Sequence, residues 1–177
     1  MRNFGCFLLL LMIAAAAVPV HASDVTLFGG YQHPGNLTPG SAAQGGAKLA
    51  FDPRDFGVFG FRSSQGAAIG GEHTIAYSPN FIDSKSRALI INSNVIVHVP
   101  LAIARPYVTA GIGAVRASGS GAGSIGTKFA LNYGGGLKLS ALGPVGGRID
   151  VRGYTIPGVQ SQTLKVLEVS LGLVFSF

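Results

Sequence analysis

The groups in this sequence that could do chemistry are three histidines, a set of serines and a scatter of charges. Beyond the first 22 residues, histidine occurs at His33, His73 and His98. Hydrolysis of an acyl ester would need a serine hydroxyl within reach of such a base, with a third group orienting the ring. Ser41 could approach His33, whereas His98 is expected to point inward and His73 outward in mid-strand. No motif surrounds any of the three, so they read as loop or packing histidines. No catalytic residue is assigned, and the chain is expected not to be an enzyme. A metal centre needs several ligands at close spacing, and the sequence has no such cluster. The stretch Gly119–Gly126 neither opens a helix nor follows a buried parallel strand, so it reads as a surface loop before a phosphate cradle. No cofactor is implied.

The charges are more informative, because most alternate with apolar residues. Arg62, Glu72, Lys138, Arg148, Asp150, Arg152 and Glu168 each have the parity opposite to an apolar set. In a strand, successive side chains point to opposite faces, so these seven share one face and the apolar rows share the other. A symmetric turn after the second strand would set Arg62 across from Glu72. The same reasoning sets Lys138 across from Arg148 and leaves Asp150 and Glu168 to neutralise Arg148 and Arg152, with Glu168 against Arg152.

Strands must position these groups, since glycine is abundant (27 residues) and helices are disfavoured. Phe129, Leu131, Tyr133, Leu137 and Leu139 oppose Asn132, Gly134, Gly136 and Lys138. Ile91, Val95, Val97 and Val99 similarly oppose Asn92, Asn94 and His98. Phe28 and Ile96 break the pattern and are expected inside. Eight strands are predicted at 24–33, 56–63, 68–78, 88–99, 105–117, 128–140, 145–155 and 164–177. Short connections at Ser64–Ala67, Pro100–Ala104 and Ala141–Pro144 alternate with longer ones at Pro34–Asp55, Pro79–Arg87, Ser118–Thr127 and Ile156–Thr163. The segment Gln44–Asp52 is read as an extension of the second strand; counted as a hairpin, it would give ten strands.

Residues 1–22 have the form of a secretory signal peptide, with Arg2, an apolar run from Phe4 to Val18, and Val20-His21-Ala22 before a cut at Ser23. The sole cysteine, Cys6, falls within it. The remaining 155 residues (177 − 22) form one domain, 23–177, with 12 Lys/Arg and 7 Asp/Glu, or 19 charges. That is about one residue in eight, where a soluble domain has about one in four. Too few charges coat a water-facing surface, and no stretch after residue 22 could span a membrane as a helix. An antiparallel transmembrane β-barrel satisfies both conditions. A lipocalin-like soluble barrel would need a more polar exterior, and the basic residues are too scattered for a nucleic-acid surface.

The last segment, Leu167 to Phe177, alternates almost without fault, with Leu171, Leu173, Phe175 and Phe177 on one side. A terminal aromatic preceded by alternating apolar residues resembles the signal read by the outer-membrane assembly machinery. Together with Arg105-Pro106-Tyr107-Val108-Thr109-Ala110-Gly111-Ile112-Gly113 and Tyr133-Gly134-Gly135-Gly136-Leu137, it makes the chain resemble the small outer-membrane β-barrels of the OmpA/OmpX/OmpW-like group. The resemblance covers nearly all of 23–177 and implies location in a bacterial outer membrane, with no Trp in the aromatic girdle. Girdle duty is expected of Tyr31, Phe129, Tyr133, Tyr154, Phe175 and Phe177. The implied architecture is all-β, with an interior that side chains can fill.

A second set of charges, Lys48, Arg54, Lys85, Arg87, Arg116, Lys128 and Lys165, falls at the outer rim of such a barrel. Their expected partner is lipopolysaccharide, whose phosphates Lys and Arg can neutralise. The sequence therefore points to a monomeric structural or interaction protein, serving envelope stability, adhesion or lipopolysaccharide contact, with a plugged lumen. A small-solute channel and a lipid A-modifying enzyme are the alternatives.

Overall fold

A computed structural model of the protein describes residues 23–34, 57–66, 68–81, 86–99, 101, 103–119, 126–142, 144–159 and 162–177. Eight strands carry the alternation: β1 (Ser23–Pro34), β2 (Val58–Gln65), β3 (Ile69–Ser78), β4 (Ser86–His98), β5 (Ala104–Gly119), β6 (Gly126–Leu142), β7 (Val145–Val159) and β8 (Gln162–Ser176). Each pairs antiparallel with the next, and β1 pairs with β8 from Asp24↔Ser176 to Pro34↔Val166, which closes the barrel. Closure on eight strands leaves no sheet edge unpaired and removes the ten-strand alternative. The segment Gln44–Asp52 lies outside the described residues.

Ser23 and Phe177 meet at one end, joined by hydrogen bonds in both directions (Ser23 N to Phe177 O, 3.3 Å; Phe177 N to Ser23 O, 3.0 Å). We call this the terminal end and the opposite rim the far end. Three of the connections match the expected alternation of length on the far side. The fourth differs: β7 and β8 run on until Val159 pairs with Gln162, so only 160–161 lie between them. Ile156 and Leu164 continue the inward row and are fully buried, which extends the hairpin beyond its expected limit. A register shift between Ile156 and Val159, with Gly158 at φ 73°, accommodates exposed Pro157 at an irregularity.

The polarity of the barrel is inverted relative to a water-soluble fold. Leu27, Phe61, Ile75, Val95, Ile112, Val151 and Leu171 are exposed on the wall, and Phe177 is 78% exposed. Arg62, Glu72, Arg152 and Glu168 are 0% exposed. Water would expel such a wall and solvate such an interior; a hydrocarbon surround favours both. The expected inward exceptions, Phe28 and Ile96, are buried. Tyr154 corrects the girdle: it is buried inside, because it shares parity with Arg152.

The lumen has two layers. Toward the far end, Val58, Ala76, Ile90, Val115, Ile156 and Leu164 form an aliphatic core with Phe28. Phe81, just beyond β3, folds over this core at 2% exposure, its N–H bonded to Ser86 O at 3.0 Å. Toward the terminal end the interior is ionic. Glycine makes room for it: a Cβ on inward-facing Gly134 would fall 3.0 Å from Arg152 Cγ, and one on Gly136 would fall 2.8 Å from Tyr107 Cζ. On the outer wall Tyr133 lies over Gly153, where a Cβ would meet the ring at 2.8 Å.

Candidate functional site

The seven charges assigned to one face by parity are all buried in the lumen, from 0% exposure for Arg62 to 6% for Lys138. Asp150 on β7 is the hub. It lies 3.0 Å from Arg62 Nη1, 2.8 Å from Arg148 Nε and 2.9 Å from Arg152 Nη2. Glu72 takes Arg148 Nη2 on one oxygen, and on the other it lies 2.7 Å from Arg152 Nη1. Glu168 takes Arg62 Nη2. Lys138 pairs with Asp24 at 2.6 Å nearer the terminal mouth. Four carboxylates thus meet four cations, and the charge of this network sums to zero. A buried charge left unpaired costs several kcal/mol, so this balance is a condition of burying these charges in the lumen.

Neutral groups add to the network. Tyr107 donates to Asp150 Oδ1 and accepts from Arg148 Nε at 2.9 Å. Tyr154 Oη and Gln32 Nε2 donate to Glu168 Oε2 at 3.0 and 2.9 Å. Asn94 donates to Glu72 at 3.1 Å, and the Arg62 guanidinium sits 3.5 Å over the Phe28 ring. Ser170 Oγ accepts from Arg62 Nη1 at 3.1 Å. Asp24, Gln32, Asn94, Tyr107, Tyr154 and Ser170 were not anticipated as members. Parity was the available signal for each, since Asp24 shares a face with Thr26, and Tyr107 with Thr109.

The pairing differs from the expected ladder in two ways. Arg62 stands opposite Thr74, and Glu72 opposite Ser64, because the β2–β3 turn is centred one residue later than assumed. Gly66 at φ 102° fixes that turn; a Cβ there would fall 2.7 Å from Gly70 Cα. Glu168 is opposite Arg152 in register, yet its ion pair is with Arg62, while Arg152 turns to Glu72 and Asp150. Lys138 is opposite Arg148 as expected, and the two like charges diverge to different carboxylates.

Of the second set, Lys48, Arg54 and Lys85 lie outside the described residues. Arg87 and Arg116 are exposed on the outward face of β4 and β5 near the far end, and Lys165 is exposed on the outward face of β8. Arg87 Nε bonds Ser118 Oγ at 3.3 Å, and Arg116 stands opposite Leu89, so the two arginines are diagonal neighbours. Lys128 has inward parity instead, half-buried, its ammonium close to Gly158 at the far rim. Leu171, Leu173, Phe175 and Phe177 form an exposed row down β8.

The histidines stay apart from one another. His33 stacks on Tyr31 (6.5 Å between centroids), and His98 is buried against Tyr107 at the terminal mouth. His73 Nδ1 lies 3.0 Å from Ser93 Oγ on the outer wall. No group of His, Cys, Asp and Glu among the described residues could hold a metal.

No family model and no curated protein matches the chain. Solved structures do. The chain is similar to Neisserial surface protein A (NspA), with a TM-score of 0.64 at 16% identity over 89% of this chain and 99% of that one. It is similar to the N-terminal β-barrel domain of Pseudomonas aeruginosa OprF, with a TM-score of 0.57 at 16% identity, covering 89% and 98%. It also matches the outer membrane enzyme PagL, with a TM-score of 0.51 at 14% identity, covering 86% and 98%. Proteins of different roles therefore share this architecture, and an eight-stranded closed barrel with a polar lumen and an apolar wall is the fold of the small outer-membrane β-barrels, the OmpA/OmpX-like group.

Proposed function

We propose that this protein is an integral barrel of a bacterial outer membrane with a structural or interaction role, exported by a leader cleaved before Ser23. In this reading the terminal end faces the periplasm and the far end faces out, anchored to lipopolysaccharide by its cationic edge. The Leu171, Leu173, Phe175 and Phe177 row is then the segment that the assembly machinery reads.

One observation carries the reading. Among the described residues every Asp and Glu side chain lies inside the barrel, and every charged side chain on the outer wall is a cation. Arg87 and Arg116 sit diagonally on adjacent strands, where like charges repel. A phosphate between them would turn that repulsion into charge-assisted hydrogen bonds. The interior points the same way: with the arginines and carboxylates paired to neutrality, the lumen favours a plug over a diffusion path, and the role lies at the surface.

The test compares the wild type with R87Q/R116Q/K165Q in two environments. Lipopolysaccharide should raise the unfolding temperature of the wild type above its value in plain detergent, and the triple variant should lose most of that increment. An equal loss in both environments would reject the contact. Heat-modifiable migration from an outer-membrane fraction checks the location itself.

A further inference from the structure

Three asparagines face the lumen at the height where the ionic layer gives way to the aliphatic core. Asn92 and Asn94 follow Ile90 along the inward row of β4, and Asn132 follows Ala130 on β6. All three are buried, as is Thr74 on β3. An amide side chain carries two donors and an acceptor oxygen with two lone pairs. Asn94 Nδ2 donates to Glu72 at 3.1 Å. Asn94 Oδ1, both polar atoms of Asn92, both of Asn132 and Thr74 Oγ1 meet no protein donor or acceptor. Leaving six such atoms desolvated would be costly, and folded proteins satisfy nearly all buried polar groups.

The register gathers these atoms into one belt. Thr74 stands opposite Asn92, Asn92 opposite Gly113, Asn94 opposite Gly111, and Gly111 opposite Asn132. The two glycines of β5 put no side chain between the β4 amides and the β6 amide. A Cβ on Gly113 would collide with Asn92 Oδ1, and one on Gly111 with Asn94 Oδ1. The amides therefore lie over a strand that offers them only backbone, and that backbone is engaged in both neighbouring ladders.

We propose that this belt is a buried water site, with Thr74, Asn92, Asn94 and Asn132 as its ligands. A buried water makes about three hydrogen bonds, so the six atoms call for about two molecules. The chemistry of the belt selects water over an ion. Arg62 stands opposite Thr74 and Arg152 opposite Gly134, so a cation would be repelled. An anion would meet three amide oxygens beside Glu72. Two amide nitrogens and three amide oxygens ask for a neutral ligand that donates and accepts. Turning Thr74 toward Asn92 would make one bond and leave Asn132, beyond Gly111, as it is. On the far side Ile90, Val115 and Ile156 end the polar lining, so the waters stop at the aliphatic core. The site lies inside the closed barrel and does not depend on what surrounds the outer wall.

The experiment is water-selective NOE spectroscopy of the 15N-labelled wild type folded in deuterated detergent micelles. The side-chain amide protons of Asn92 and Asn132, assigned with N92L and N132L, should show cross-peaks to long-lived water. T74V and Y154F remove neighbouring hydroxyls that could relay magnetisation, and the Asn132 cross-peak should survive in both. Urea unfolding in lipid vesicles gives a second readout. N132L should lower the folded-to-unfolded ratio about 5- to 30-fold as bonds to water are lost, whereas replacing an amide buried dry would raise it. Heat-modifiable migration verifies that each variant is folded, and the wild-type spectrum decides alone for one that is not. Missing cross-peaks in the folded wild type, an Asn132 cross-peak lost in T74V or Y154F, or an N132L at least as stable as the wild type would overturn the proposal.

Discussion

Arg62 on β2 is ion-paired with Glu168 on β8, reaching past the intervening β1 to close the lumen across its seam. The two are 106 residues apart in sequence, and neither is accessible to solvent. Glu168 keeps Tyr154 and Gln32 as further donors, whereas Arg62 also serves Asp150. The pair therefore links the β8 and β7 carboxylates to β2 across the seam.

Breaking this pair on one side should cost more than removing it. R62Q should destabilise the folded barrel by about 3–5 kcal/mol, because Glu168 is left as a buried charge short of its cation. R62M/E168L should recover a large part of that loss. Urea unfolding of the two variants in the same lipid vesicles checks it; equal losses for both would count against an ion pair of this kind.

Asp150 contacts three arginines and Tyr107, so its loss unbalances more of the network than the loss of Glu168. D150N should therefore lower stability more than E168Q under identical conditions. The ranking, read from the same unfolding curves, is the result of interest. A reversed order would move the hub elsewhere.

The glycines separate into crowded and open positions. G134V would drive a side chain into the Val151 carbonyl and Arg152, whereas Gly29, on the outer wall, has nothing within 4 Å of its Cβ position. Overpacking of the first kind costs about 1–3 kcal/mol or more, and G29V should be tolerated or mildly stabilising. Thermal unfolding followed on heat-modifiable gels distinguishes them, and similar shifts for both would mean that the lumen near Arg152 is looser than described.

Tyr154 tests the inward assignment that parity implied and composition obscured. Y154F removes one hydrogen bond to Glu168 without changing shape, for an expected loss of about 1–3 kcal/mol, as for a bond to a charged group. A lipid-facing tyrosine at that position would show almost none.

Strand number and the face of each lumen charge were legible, because a period of two survives in β4, β6 and β8 even where glycine dilutes it. What parity cannot encode is which charge meets which. Side chains as long as Arg62 and Arg152 cross the lumen, so register neighbours such as Arg152 and Glu168 need not be partners. The β2–β3 turn was displaced by one residue because Gly66 takes a left-handed conformation that its type permits but does not demand. The aliphatic far half of the lumen was hidden by its composition, since Ala76, Ile90 and Val115 look the same facing lipid or facing inward.

In the proposed plug, a neutral layer of paired charges fills the terminal half of the lumen. Planar-bilayer recording of the folded wild-type protein tests it most directly. The wild type should leave the membrane silent, with flickering conductance appearing only when the layer is broken, as in D150A. Steady, large open channels from the wild type would contradict it.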